Sequence, residues 1–488
     1  MKNRAETRSP NLHDVRETDA KRRCFTVLAA CAIACFAAAC SPTPKPGPPN
    51  IILIIGDDHG WPYFGFMDDP IIATPHLDAL ARGGTLFPYA FVTSSTCRQS
   101  LLTLLTGLHP LQWNSRLRVL RTRGIRRGRY REIVDFVTLP RLLGEAGYRS
   151  FQGGKYWEGR YQNAGFDEGT KVSGATDPDP TEHGKMQSGA GGAGLELGRT
   201  TMKPLWEFLE RADDRPFFVW FAPKLPHTPH DAAQSYLHRY SGRGLSPEAV
   251  KYYANITRFD DRVGELVAFL DRAGLRRNTL LVYLSDNGWQ QGPNERPRIK
   301  SLGGPKGKGS MYELGVRTPL IFNWPGQIAA AEVRNDLVSS VDLFPTLLSF
   351  AGVPVPPNRS PHNLYPLLTG KGPPTEPRRT VMASSNRELR PPPSSEQKLP
   401  QPNQDIMRTE MAYTMRTKEW RYIWYFDSVD YPDRSADELF RIDTDPYEGR
   451  DVAAQHSDRV AEFRREILAW IDTATEPYQF RAGEDVSP

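Results

Sequence analysis

The sequence predicts an α/β protein, a mostly parallel sheet sandwiched by helices, with a smaller C-terminal α+β subdomain. Three observations carry that prediction. Continuous apolar runs at residues 50–55, 216–221 and 280–284 have the character of strands buried on both faces. Helix patterns alternate with them through about residue 355, the order that joins parallel strands by crossover helices. After a proline-rich stretch at 373–405, residues 411–425 alternate as strands do, and a helix at 458–471 closes the chain.

The 488 residues suffice for a large core, in one big domain or two. With 39% hydrophobic and 24% charged residues the composition is globular. The formal charge is +5, and the first 39 residues hold seven Lys/Arg against four Asp/Glu, which leaves 5 − 3 = +2 without them. That balance argues against a general nucleic-acid binder. Residues 1–40 read as an export signal: Lys21, Arg22 and Arg23 precede an apolar run at 25–39 that is too short to span a bilayer. The run ends in Ala37-Ala38-Ala39-Cys40-Ser41, similar to a bacterial lipoprotein signal with Cys40 lipidated. Arg22-Arg23-Cys24-Phe25 also resembles a twin-arginine signal. The expectation is an exported protein, periplasmic or at the cell surface, held to a membrane through a lipid anchor. The mature chain would keep Cys40 as anchor and Cys97 as its single thiol, with no disulfide possible. Residues 41–49 read as a proline-rich tether.

The first buried strand, 50–55, ends in Gly56-Asp57-Asp58-His59-Gly60. Thr74 is expected to cap a helix with Pro75 at its first position and Gly83-Gly84 as its stop. Cys97 is placed at or just before a helix N-terminus, because leucines follow at 101–105 and Thr106-Gly107 forms a stop. Free backbone N–H groups there favour an anion and make a nearby thiol more acidic. Residues 116–131 hold eight arginines in sixteen positions and are expected to border the active-site edge. A helix at 139–143, a turn at Gly147 and a short strand lead to Gly154-Lys155. Residues 184–198 form a glycine-rich loop. The strand at 216–221 leads to Pro226-His227, and a long helix spans 247–273. The strand at 280–284 leads to Ser285-Asp286-Asn287-Gly288, and a further strand at 320–323 follows Lys308.

Asp57-Asp58, Lys155, His227 and Asp286-Asn287 each lie just beyond the C-terminal end of an expected strand. In an open parallel sheet those ends form one edge, where ligands bind. Singly, each group is explained as a turn former or a solvated side chain; four coincidences on one edge make that account poor. Three aspartates and an asparagine amide oxygen are hard ligands that suit Ca²⁺ or Mg²⁺ rather than zinc. With Lys155, Lys308 and His227 around them, they suggest a site for a tetrahedral oxyanion, a sulfate or phosphate ester.

On these residues the chain resembles the sulfatase family, which shares its fold with alkaline phosphatases. The resemblance rests on the strand ending in Gly56-Asp57-Asp58, Thr74-Pro75-His76-Leu77-Asp78, and Cys97 with Leu105-Thr106-Gly107. It continues through Gly154-Lys155, Pro226-His227-Thr228-Pro229, Ser285-Asp286-Asn287-Gly288 and Gly307-Lys308-Gly309-Ser310, covering about residues 50–470. It implies a formylglycine made from Cys97 by a maturation enzyme, and one Ca²⁺ held by Asp57, Asp58, Asp286 and Asn287 against the modified Cys97. One hydroxyl of the hydrated aldehyde attacks sulfur, and proton loss from the other expels sulfate. Lys155 and Lys308 would stabilise sulfate charge, and His227 or Lys308 would protonate the leaving oxygen. The implied substrate is a sulfated carbohydrate or an aryl sulfate. A binding-only relative, or a phosphodiesterase or phosphonate hydrolase of the same fold, remains as an alternative. The chain departs from the family's pattern in three places. Gln99 and Leu101 stand where the signature usually has Pro or Ala and Arg. Trp157 stands where a histidine is frequent, and Leu314-Gly315 replaces the usual Gly-Gly. The expected domains are a catalytic domain at 50–372 and a C-terminal subdomain at 406–488.

Overall fold

Asn50–Gly56 forms β1, the strand around which the first sheet is laid out. The computed structural model describes residues 47–127, 131–170, 196–211, 214–289, 306–371, 378–386, 410–425 and 437–475. The export signal, most of the tether, residues 184–195 of the glycine-rich loop and most of the proline-rich stretch lie outside the described residues. After β1 come α1 (Pro75–Arg82), β2 (Thr85–Phe91), α2 (Cys97–Thr106), α3 (Pro110–Thr122), α4 (Leu139–Glu145), β3 (Arg149–Gly154) and β4 (Glu168–Gly169). Next are α5 (Lys203–Leu209), β5 (Phe217–Ala222), α6 (Gln234–Tyr240), α7 (Pro247–Arg272), β6 (Thr279–Ser285), α8 (Glu313–Val316) and β7 (Arg317–Asn323). The chain continues through β8 (Glu332–Val333), β9 (Val338–Ser339), α9 (Leu343–Phe350) and α10 (Tyr365–Thr369). It closes with β10 (Val381–Asn386), β11 (Glu410–Arg416), β12 (Trp420–Tyr425), β13 (Asp437–Arg441) and α11 (Ser457–Thr475).

The first sheet has the order β4-β3-β5-β1-β6-β7-β2-β8, with β9 also on β2. All its pairings are parallel except those of β7 with β6 and β2. In β1, Ile52 lies opposite Val219 of β5 and Leu281 of β6. Ile51, Leu53 and Ile55 pack with Leu101 and Leu105 of α2 and with Leu343 and Phe344 of α9. Ile52 and Ile54 pack on the opposite face with Leu77 of α1 and with Phe259, Val263 and Leu266 of α7. A strand covered on both faces has no position for a polar residue, hence its unbroken apolar run.

The second sheet, β10-β11-β12-β13, is antiparallel. One face joins Phe91, Met311 and Tyr312 through Ala383, Ala412, Ile423 and Phe440. The other is covered by Phe463, Ile467 and Ile471 of α11. Glu313, fully buried at the start of α8, receives Arg416 Nε at 2.8 Å and Arg421 Nη2 at 2.5 Å from the second sheet, and Arg317 Nη1 at 3.3 Å. A buried carboxylate with several guanidinium partners fixes orientation, and here it fastens the second sheet beside the segment that carries Lys308.

Three details differ from the sequence reading. β2 was not anticipated, because Pro88 and a register shift between Phe87 and Ala90 interrupt its pattern. Thr74 is the N-cap residue of α1, as expected, but its side chain accepts from no helix amide. Its hydroxyl donates to Asp78 Oδ1 at 2.9 Å, and the helix N-terminal amides of His76 and Leu77 donate instead to the Asp260 carboxylate of α7, at 3.0 and 2.7 Å. The first half of the arginine segment lies on α3, where Arg116 reaches the Asp135 carbonyl at 3.3 Å and Arg121 reaches Glu132 at 3.6 Å. Among the described residues, no helix is long and apolar enough to cross a membrane.

His109 makes a measurable contribution at the junction of the two sheets. Its ring caps α3 by accepting from Leu111 N, and Nε2 donates to Met382 O of β10 at 3.3 Å. Burial lowers its pKa to about 3. A neutral buried histidine binds no proton between pH 3 and 6.5, whereas the unfolded chain does. Its contribution is therefore present above pH 6.5 and is lost as pH falls toward 3, at about 1.4 kcal/mol per pH unit. His109→Asn keeps a capping oxygen and cannot titrate. Urea unfolding between pH 4 and 7 should show a pH slope shallower by one proton than that of the wild type; an unchanged slope would refute the assignment.

Candidate active site

β1 and β6 run parallel and end together, so Asp57-Asp58 and Asp286-Asn287 leave the sheet side by side. Asp286 N donates to Gly56 O at 2.9 Å, and Asp58 N donates to Asp286 Oδ1 at 3.0 Å. Asp58 adopts a left-handed φ of 60°, a conformation aspartate tolerates better than most residues. Tyr252 of α7 braces this turn by donating to Asp58 O at 2.6 Å and accepting from Gly60 N at 3.0 Å. β3 ends at Gly154, whose φ is +90°; a Cβ there would stand 2.1 Å from Ala222 O. Only glycine permits that approach, and it lets Lys155 N bond Ala222 O at 2.5 Å. Lys155 thus leaves the sheet beside β5, with two strands, β5 and β1, between β3 and the β6 that carries Asp286, but on the same edge.

The side chains converge. Lys155 Nζ pairs with Asp57 Oδ1 and, at 2.9 Å, with Asp286 Oδ2. Lys308 Nζ lies 2.6 Å from Asp58 Oδ1, and His227 Nε2 lies 3.6 Å from Asp58 Oδ2. Asn287 Nδ2 donates to Asp58 Oδ1 at 2.7 Å. Cys97, at the first position of α2, places Sγ 3.8 Å from Asp58 Oδ1. Thr228 O lies 2.8 Å from His227 Nδ1, which suits Nδ1 as the donor and leaves Nε2 facing Asp58. The structure therefore brings Asp57, Asp58, Cys97, Lys155, His227, Asp286, Asn287 and Lys308 to one place.

Their electrostatics are those of crowded charges. Burial and the neighbouring Asp57 and Asp58 push the Asp286 carboxyl up against the pull of Lys155. Asp58 is held low: burial would raise it, but Lys308, His227 and Lys155 together outweigh that. Burial would likewise lower Lys155, but Asp286 and Asp57 raise it well above an ordinary lysine. Cys97 departs from expectation. Burial, then Asp286, pushes its thiol up to about 12 despite the helix N-terminus and the two lysines. Desolvation of a thiolate beside carboxylates exceeds the help of a few backbone dipoles.

The donor set fits a hard divalent cation. Ligand atoms of Asp57, Asp58, Cys97 and Asp286 lie within 4.8 Å of one another. Asp57 Oδ2 and Asn287 Oδ1 are buried oxygens with no hydrogen-bond partner among the described residues. Such orphaned acceptors are costly unless something positive meets them, and oxygen-rich sites of this kind suit Ca²⁺ or Mg²⁺.

The family model described as Sulfatase matches residues 49–353. The chain belongs to the sulfatase family. Over 358 residues it is 32% identical to N-acetylgalactosamine-6-sulfatase of Sus scrofa, covering 66% of each chain. Over 365 residues it is 32% identical to arylsulfatase A of Homo sapiens, covering 67% of this chain and 68% of that one. The match thus spans about two thirds of those relatives' own length. The fold is similar to that of BT4656, solved in complex with its substrate D-glucosamine-2-N,6-O-disulfate, with a TM-score of 0.62, 20% identity, and coverage of 90% of this chain and 100% of that one. Against the sulfatase-family pattern, Leu101 of α2 is buried in the core, and Gln99 is buried with Oε1 unpartnered among the described residues.

Some residues at the site carried no signal in the sequence. Arg199, at the end of the glycine-rich stretch, clamps the His227 loop: Nη2 donates to Lys224 O at 2.5 Å and His227 O at 2.6 Å, and Nη1 to Pro229 O at 2.9 Å. Lys224, buried beside Asp57, is lowered by burial. Tyr252 was read only as part of a helix. Each acts through a backbone carbonyl or through loop placement, which one-dimensional spacing does not encode.

Proposed function

We propose that this chain is a sulfuric ester hydrolase that releases inorganic sulfate from a sulfated carbohydrate or an aryl sulfate. The observation that carries the reading is the convergence of Cys97, Lys155, His227 and Lys308 on three buried carboxylates in a chain of this family. Asp57, Asp58, Asp286 and Asn287 would hold Ca²⁺, with the residue-97 side chain completing the set. Formylglycine, made from Cys97 by a maturation enzyme, would supply an oxygen nucleophile that can be regenerated as an aldehyde. Lys155, paired with Asp57 and Asp286, and Lys308, paired with Asp58, orient the sulfate oxygens and offset their charge. His227 Nε2 or Lys308 Nζ gives a proton to the departing ester oxygen. Three carboxylates against Lys155 and Lys308 leave one negative charge. A bound divalent cation reverses that to one positive charge, complementary to the single negative charge of a sulfate monoester.

N-acetylgalactosamine-6-sulfatase and arylsulfatase A, among the relatives, support the substrate class. The test is sulfate release by protein co-expressed with a maturation enzyme, across aryl sulfates, sulfated sugars, an aryl phosphate and a phosphonate ester. Turnover of a sulfate ester well above that of the phosphate is expected; faster phosphate or phosphonate turnover would overturn the reading. Residues 50–372 form the catalytic domain and 406–488 its subdomain in this reading. Cys40 is the lipid anchor of an exported protein, motivated by Ala37 to Ser41. Cys40→Ala should move the protein from the detergent phase to the aqueous phase in Triton X-114 partitioning. A wild-type protein already in the aqueous phase would remove the anchor.

A further inference from the structure

We infer that Arg98 and Glu158 form a positioning pair that fixes Cys97 in register with Lys155; the kinetic part of the inference rests on the proposed sulfatase reading. Arg98 follows Cys97 on the first turn of α2. Its Nε donates to Glu158 Oε1 at 2.7 Å and its Nη2 to Glu158 Oε2 at 2.8 Å; Nη2 also reaches Glu132 Oε2 at 3.1 Å. Glu158 is 1% exposed and Glu132 6%. A guanidinium that meets both oxygens of a carboxylate fixes distance and angle together, unlike a point-charge contact.

The other end of the tie is equally firm. Glu158 lies three residues after Lys155 in the loop that leaves β3. Trp220 Nε1 of β5 donates to Lys155 O at 3.1 Å, and Asn163 Nδ2 donates to Glu158 O at 2.8 Å. The loop is thus bound to the sheet at Lys155 and to the following turn at Glu158. The Arg98–Glu158 pair is a direct side-chain link from the segment carrying Cys97 to the segment carrying Lys155. It lies within two of the three motifs where this chain departs from the family's pattern, the one with Gln99 and Leu101 and the one with Trp157. The sulfur contact to Asp58 and the Lys155 contacts to Asp57 and Asp286 depend on how those two segments are set against each other. A misplacement of about 1 Å is enough to cost on the order of 10²-fold in turnover.

The experiment compares Glu158→Gln, Arg98→Lys, the double variant and Glu132→Gln, each checked for folding by circular dichroism. Glutamine keeps the shape of Glu158, and lysine keeps the charge of Arg98 while losing the fork. Two readouts are taken: kcat and KM on an aryl sulfate with matured protein, and the rate at which methyl methanethiosulfonate modifies Cys97 in protein made without the maturation enzyme. Glu158→Gln and Arg98→Lys should each lower kcat about 10- to 100-fold with KM within about threefold. The thiol should react several-fold faster than in the wild type. The double variant should be no worse than the poorer single, because the two residues act as a unit. Glu132→Gln removes a buried charge that also meets Arg98 but keeps the two-point Arg98–Glu158 contact, and should change kcat far less. Overturning results are a folded Glu158→Gln with wild-type kcat and thiol rate, additive singles, or Glu132→Gln matching Glu158→Gln. If the wild type hydrolyses no sulfate ester, the sulfatase reading fails by itself, and the thiol rates alone decide the positioning role.

Discussion

Cys97→Ala should lower sulfate-ester turnover on the order of 10⁶-fold, the scale seen when a covalent nucleophile is removed, and should leave the fold and the proposed metal site in place. Sγ stands 3.8 Å from Asp58 Oδ1, beside the carboxylate cluster. The side chain is small and sits on the first turn of α2, so its truncation should cost about 1 kcal/mol or less. The Lys155–Asp286 and Lys308–Asp58 contacts do not depend on it. Cys97→Ser should be equally inactive unless a serine-oxidising maturation enzyme is present, because a lone hydroxyl has no aldehyde to return to. The thiol itself is a poor candidate, since burial pushes it up to about 12 and it is protonated at neutral pH. Mass spectrometry of the peptide around Cys97 is the accompanying measurement. Active protein should carry the aldehyde there. Active protein with only a thiol would sink the mechanism, and fully modified but inactive protein would point to a binding role.

The site was legible where chemistry and chain direction coincide. β1, β5 and β6 are read from apolar runs and β3 from the short strand before Gly154-Lys155, and parallel pairing alone puts their exits on one edge. Asp57, Asp58, Lys155, Asp286 and Asn287 follow from that without any side-chain information. Lys308 arrives differently: β7 is antiparallel to β6, so the segment before β7 returns to the same edge. What stayed hidden depends on long-range closure. Asp260 caps α1 from α7, 183 residues away from Leu77, and Arg199 holds the His227 loop through carbonyl oxygens. Neither partner leaves a trace in local spacing. The thiol acidity was misjudged for a related reason. A helix N-terminus is visible in sequence, whereas the depth of burial and the facing Asp286 are not.

Asp286→Ala is expected to remove the proposed calcium binding together with turnover. Asp286 is fully buried and bifunctional: Oδ1 accepts the Asp58 amide at 3.0 Å, and Oδ2 accepts Lys155 at 2.9 Å. Its loss leaves two carboxylates against Lys155 and Lys308, so the cluster is neutral before any cation enters, and divalent affinity falls accordingly. It also leaves the Asp58 amide without its acceptor, a destabilisation of about 1–3 kcal/mol. In the wild type, calcium at 100 times its Kd should raise the unfolding free energy by about 2.7 kcal/mol. In Asp286→Ala that gain should vanish, and kcat should drop at least 10²- to 10³-fold, the scale for losing one preorganised charge-stabilising group. Asp286→Asn separates charge from shape. It keeps an acceptor for the Asp58 amide, so its calcium-free stability should lie above that of the alanine variant while its calcium response stays weak. Plasma emission for bound metal and calcium-dependent melting are the measurements. Retention of one calcium per chain together with wild-type turnover in Asp286→Ala would show that the cation, if required, sits elsewhere.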